Sequence, residues 1–102
     1  MSKAAYKRLV KSAHDQGLHV RQVKNRVTRD FVGMNSRAAR SLGFKMPPKT
    51  IYIDKDLPLS TKVTTLNHEI IEVNLMKKGD SYWTAHKKAL RRERRLNGSK
   101  NI

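Results

Sequence analysis

At 102 residues the chain has room for one domain with one hydrophobic core, and without cysteine it can form neither disulfides nor thiolate metal sites, so any metal must be held by His, Asp or Glu. No run of about 18 apolar residues exists to span a membrane, and the basic N-terminus lacks the apolar stretch of a secretory signal, so the cytoplasm is the expected compartment. The 23 Lys and Arg outnumber 8 Asp and Glu, for a net charge of +15, which attracts polyanions at long range, nucleic acid above all.

Taken in chain order, residues 3–14 read as a helix with Ala5, Tyr6, Leu9 and Ala13 on one side and Lys3, Lys7, Arg8 and Lys11 on the other. Gly17 is its expected stop. Residues 18–32 stay open between two readings: Val20, Val23, Val27 and Phe31 recur at helical spacing, while their β-branched content equally suits a strand. Taken as a basic N-terminal helical region, 3–32 is expected to flank a core of residues 35–96 within a single domain spanning 1–96. Asn35 can cap a short helix to Leu42, closed by Gly43. Met46-Pro47-Pro48 must be an extended turn, because proline disrupts helix interiors and central strands. Thr50-Ile51-Tyr52-Ile53-Asp54 is the clearest strand. After the loop at Asp56-Leu57-Pro58, Ser60 or Thr61 is expected to cap a helix running to about Lys78, with Gly79 as its stop. Asp80 or Ser81 then caps a last helix to about Leu96, and residues 97–102 form a flexible tail. The short Gly79–Ser81 turn favours antiparallel packing of these two helices. The expected fold is α+β, with three or four helices around a small sheet or hairpin.

The segment Leu66-Asn67-His68-Glu69-Ile70-Ile71-Glu72 carries the chemistry. It is one residue from H-E-x-x-H, in which two histidines one helical turn apart bind zinc and the glutamate serves as general base. Here Glu72 stands in the second histidine's place, and carboxylate oxygen is itself a zinc ligand. At about 100° per residue, Val63, Leu66, Ile70 and Val73 share one face of this helix, and His68 and Glu72 lie together on the other. Ile71, Leu75 and Met76 flank the polar pair, so both sides of the helix are expected to be covered and the pair to need partners. The last helix offers them. Tyr82, Trp83, His86, Ala89, Leu90 and Glu93 fall on one face, and Lys87, Lys88, Arg91, Arg92, Arg94 and Arg95 on the other. His86 would complete a His₂Glu ligand set with His68 and Glu72, with Glu69 as base. Glu93, about 10 Å along the helix from His86, suits a supporting role behind the ligands. The same residues can equally form an ordinary hydrogen-bonded cluster with no metal.

The stretch from Ile51-Tyr52-Ile53-Asp54 through His68-Glu69-Ile70-Ile71-Glu72 resembles the core of minimal zincin metallopeptidases, whose edge strand precedes the motif helix. Tyr82-Trp83-Thr84-Ala85-His86-Lys87-Lys88-Ala89 resembles a second helix of small H-E-x-x-E proteins from archaeal and phage-like mobile elements. The resemblance spans roughly residues 35–95 in layout and about ten in identity. It implies a zincin-like domain of viral or plasmid origin, with His68 a zinc ligand, Glu69 the base, and Ile51–Ile53 pairing with an extended peptide substrate. It departs from the family at Glu72.

Charge is distributed in thirds. Residues 1–49 carry 12 basic and 2 acidic side chains, residues 50–80 carry 4 and 5, and residues 81–102 carry 7 and 1. Lys7, Arg8 and Lys11 in the first helix, with the six cations of the last, form stripes suited to non-specific phosphate contact. The aromatic residues are few and most are expected in the core, which argues against base stacking. Two functions follow: a zinc-binding, zincin-like protein, in the enzymatic case a metallohydrolase, held near nucleic acid by its flanks; or a non-catalytic nucleic-acid-binding or packaging protein whose H-E-I-I-E helix is structural.

Overall fold

A computed structural model describes residues 3–28 and 31–98, with side chains throughout these except at Arg26 and residues 94–98. The element order is α1 (Lys3–Asp15), β1 (His19–Val23), a 3₁₀ turn (Asn25–Thr28), β2 (Gly33–Asn35), α2 (Ser36–Leu42), β3 (Thr50–Asp54), α3 (Leu59–Lys77) and α4 (Tyr82–Gly98). The fold is α+β, and α3 and α4 pack against each other. Contacts of His68 with Glu93 and of Glu72 with His86 run in opposite chain directions, which makes the pair antiparallel.

The sheet has the order β1-β3-β2. β3 pairs parallel with β1, from His19↔Thr50 to Val23↔Asp54, and antiparallel with β2, from Gly33↔Ile53 to Asn35↔Ile51. Its side chains alternate between two faces, so Ile51 and Ile53 point the same way and are fully buried. They pack with Leu66, Ile70 and Val73 of α3 and with Ala13 and Leu18, while Tyr6, Leu9 and Val10 of α1 close the cluster. The core therefore begins at α1 and is not confined to residues 35–96. Of the two readings for residues 18–32, the strand prevails at His19–Val23, where pairing with β3 supplies hydrogen bonds that the local pattern could not foretell, while Asn25–Thr28 forms a 3₁₀ turn. The helical spacing of Val27 and Phe31 was incidental, since they are 49% and 40% exposed.

Other boundaries follow local chemistry. Asn35 caps α2 through its side chain, and Gly43 closes it at φ 83, a left-handed conformation that glycine adopts without strain. α3 starts two residues earlier than expected. Pro58, with φ −56, sits at its N-cap without a side-chain bond, and the Asp54 carboxylate accepts the Asp56 N–H at 3.0 Å to set the approach. Ser81 caps α4, its Oγ accepting the Thr84 N–H at 3.3 Å. The helical backbone of α4 continues past Leu96 to Gly98; the remainder of the proposed tail, 99–102, lies outside the described residues. No helix among the described residues is long and apolar enough to cross a membrane.

A second cluster, Met34, Ala38, Ala39 and Tyr82 with half-buried Leu42, Phe44, Met46 and Met76, ties α2 to α4. Between the clusters, β2 runs very close to α3. A Cβ added to Gly33 would lie 2.6 Å from Thr65 Cγ2 and 3.4 Å from Glu69 Cγ, so only glycine allows this approach. Gly33→Ala should cost about 1–3 kcal/mol, as overpacking does. Thr65→Ser removes the obstructing methyl and should recover part of that loss, which a double-mutant cycle by equilibrium denaturation measures. Simple additivity of the two changes would refute the contact.

Candidate metal centre

His68 and Glu72 are one turn apart on α3, so their side chains stack on the same strip of helix. α4 returns over that strip and brings His86 to it. His68 Nε2 lies 3.0 Å from Glu72 Oε2, His86 Nδ1 lies 2.9 Å from the same oxygen, and the two nitrogens are 3.3 Å apart. Two ligands bonded to tetrahedral zinc at about 2.0–2.1 Å are roughly 3.3 Å from each other. The triangle of donor atoms thus has nearly the dimensions of one face of such a coordination sphere. One carboxylate and two imidazoles, drawn this close, fit a divalent ion; the three residues form a group able to hold a metal. The rings are well braced. His86 stacks on Tyr82 at 5.4 Å and meets His68 edge-on at 5.0 Å.

Glu69 does not join the triangle. Its Oε1 and that of Glu72 each accept a hydrogen bond from Asn35 Nδ2, both at 3.0 Å. The Asn35 Oδ1 in turn accepts the Ala38 N–H at 2.8 Å, which leaves only the amide nitrogen free to face the carboxylates. Asn35 was legible in the sequence only as a helix cap; no local signal shows its second role, because both carboxylates come from an element more than thirty residues away.

Burial, reinforced by the negative charge of Glu72, pushes the Glu69 carboxyl up to about 8, against the opposing pull of His68 and the Asn35 hydrogen bond. For His68, burial disfavours the charged ring, but the hydrogen bond to Glu72 and the charges of Glu69, Glu72 and Glu93 outweigh it and raise its pKa. Burial and the charges of Glu72 and Glu69 push the Tyr82 hydroxyl up to about 12, so it stays a neutral donor. Glu93 Oε1 lies 3.8 Å from His68 Nδ1, on the ring edge away from the triangle. A cavity of about 180 Å³ adjoins the group, bounded by Val32 and the start of β2 at Gly33 and Met34, by Glu69 and by Leu90.

Two expectations change. Ile51–Ile53 is the central strand, paired on both sides, and cannot accept a further strand; the edge next to the cavity is β2. Trp83 is not on the inner face of α4 but 62% exposed, because the α3–α4 contact is centred on Tyr82, Ala85 and Ala89. Lys7, Arg8 and Lys11 of α1 and Lys87, Lys88, Arg91 and Arg92 of α4 are exposed, with Lys11 paired to Asp15 and Lys88 to Asp80. The side chains of Arg94 and Arg95 lie outside the described residues. No family model, curated protein or solved structure matches the chain.

A carboxyl whose native pKa lies above its unfolded value binds more protons when folded, so the metal-free protein loses stability as pH rises from about 4.5 towards 8. The raised His68 acts in the same direction, its contribution being lost as pH climbs through its native pKa. The melting temperature of the metal-free protein should therefore fall between pH 5 and 8, and Glu69→Gln should flatten that slope. Asn35→Asp keeps the helix cap but replaces the shared donor with a third carboxylate. It should cost about 2–4 kcal/mol at pH 8 and less at pH 5, read by denaturation at both values; equal losses would refute the donor role.

Proposed function

We propose that this chain is a small zincin-like zinc protein of hydrolytic type, with His68, Glu72 and His86 as ligands and Glu69 as general base. The observation that carries this reading is the triangle of donor atoms with edges of 2.9, 3.0 and 3.3 Å. Its His₂Glu composition is one that catalytic zinc uses with a fourth position open to water. A zinc ion bound there supplies Lewis-acid polarisation of a substrate oxygen and a nucleophile active near neutral pH.

The chain's own residues have separable tasks. Asn35 holds Glu72 by Oε1, which leaves Oε2 to the histidines. Glu93 faces the far nitrogen of His68 and favours the orientation that presents Nε2. Glu69 lines the cavity with one oxygen held by Asn35 and takes a proton on the other. An extended peptide would lie along β2, the edge strand that borders the cavity. On this reading the outer faces of α1 and α4 hold the protein near phosphate backbones.

A specific observation favours the structural role for the H-E-I-I-E helix that belongs to the second reading, a non-catalytic nucleic-acid-binding or packaging protein. Among the described residues, no buried side-chain nitrogen or oxygen lacks a partner, so the cluster closes as a hydrogen-bonded network without an ion. Metal analysis separates the two. Protein purified without a histidine tag should contain about one zinc per chain, and His68→Ala should abolish it. Glu93→Gln should weaken zinc binding by about 10–100-fold. Glu69→Gln should keep the zinc while lowering peptide hydrolysis by about 10²–10⁴-fold. A folded wild type that takes up no zinc would refute the zinc reading; the second reading requires duplex affinity that falls steeply with salt, and no binding at low salt would refute it.

A further inference from the structure

A second concavity lies away from the candidate metal centre. It is a groove of about 1070 Å³ between α2, the loop before β3 and the start of α4. Five cations line it, Arg37, Arg40, Lys45, Lys49 and Lys77, against one carboxylate, Asp80, which is already paired with Lys88 at 2.9 Å. All five are exposed. None belongs to the stripes on the outer faces of α1 and α4, so the groove is a separate positive surface. Its floor is apolar, built from Leu42, Phe44, Met46 and Met76. At one end stands Trp83, 62% exposed and fixed edge-on against Tyr82 with ring centroids 4.8 Å apart.

Lys49 adds a backbone observation. Among the described residues it is the one non-glycine with positive φ, at 54, and its carbonyl accepts the His19 N–H at 2.8 Å. Glycine would occupy this position without strain, whereas a lysine kept there places a cation on the rim of the groove. Left-handed non-glycine residues concentrate at binding sites for such reasons.

We infer that this groove binds single-stranded nucleic acid, with phosphates on the cationic rim and bases on Trp83 and the apolar floor. Polyanion charge alone would be served by the helix stripes. An exposed indole beside an apolar trough adds what a duplex cannot use, since paired bases keep their faces stacked, while unpaired bases stack on aromatic rings whatever their sequence. An acidic peptide would satisfy the rim too, but at one carboxylate per glutamate side chain it offers no flat rings to cover the indole. The site is independent of the metal centre and goes beyond phosphate contact by α1 and α4.

Trp83 is the only tryptophan, so its fluorescence reports on the groove directly. The full chain, treated with a chelator so that zinc plays no part, is titrated with an oligothymidylate of about 12 nucleotides, within the usual range of site sizes. Saturable quenching that weakens as salt rises is expected. By anisotropy of the labelled oligonucleotide, Trp83→Ala and the double change Arg37→Gln, Arg40→Gln should each weaken binding about tenfold. Lys87→Gln with Arg91→Gln removes the same amount of charge from the outer face of α4 and leaves the Lys88–Asp80 pair intact, so it should weaken binding no more than about twofold. Trp83 is exposed, so its replacement leaves the core intact, which circular dichroism checks. Duplex DNA binding as tightly without quenching, or loss of binding only in the α4 variant, would overturn the inference in favour of plain phosphate contact. Equal quenching by polyglutamate would overturn it in favour of an acidic peptide. Either result leaves the zinc reading untouched, just as an absence of zinc leaves this one.

Discussion

Asn35 is where the structure is tied together. Its amide is fully buried and serves three elements at once. Oδ1 caps α2, Nδ2 donates to Glu69 and Glu72 on α3, and its backbone lies opposite Ile51 in the sheet. Two carboxylates one turn apart in the interior repel each other and resist desolvation. A donor shared between them is what permits both to remain inside, and because the amide oxygen is already engaged, the group has only one usable orientation. The elevated Glu69 carboxyl reflects its burial first and the repulsion from Glu72 second.

The same constraint shapes α3. A helix buried on all sides is ordinarily apolar all round. Here one face, Leu66, Ile70 and Val73, meets the sheet and α1, while His68, Glu69 and Glu72 face β2 and α4. Each buried polar group must find its partner locally, and the partners arrive from two directions, Asn35 from the strand side and His86 from α4. Gly33 follows from this arrangement, since β2 must come close enough for Asn35 to reach the carboxylates, and a Cβ one turn of the strand earlier would meet Thr65.

Charge is segregated along with polarity. The near-neutral middle of the sequence forms the interior helix and central strand, and the basic flanks supply exposed faces and, Lys77 apart, the cations of the groove's rim. Those cations therefore cost little in folding, being solvated, and their field is available to a ligand. The separation keeps the ionisable cluster under α4 apart from the groove, with Tyr82 lying between them and lining both.

Local chemistry determined much by itself. The Asn35 cap, the Gly43 stop, the Thr50–Asp54 strand and the two long helices follow from capping, φ restrictions and periodicity, which act over a few residues. So does the pairing of His68 with Glu72, because helical spacing puts positions four apart on one strip. The direction of His86 followed from the short turn between the helices. What only the tertiary structure decided involves distant partners. Residues 18–23 became a strand because β3 was there to pair with it; β3 became central, not an edge, because β1 and β2 took both its sides. Asn35 became the donor to two carboxylates, and Trp83 was left in solvent, once α3 and α4 had settled on Tyr82, Ala85 and Ala89. Spacing along a chain states which side chains share a face; which face is covered, and by what, depends on elements that meet only after folding.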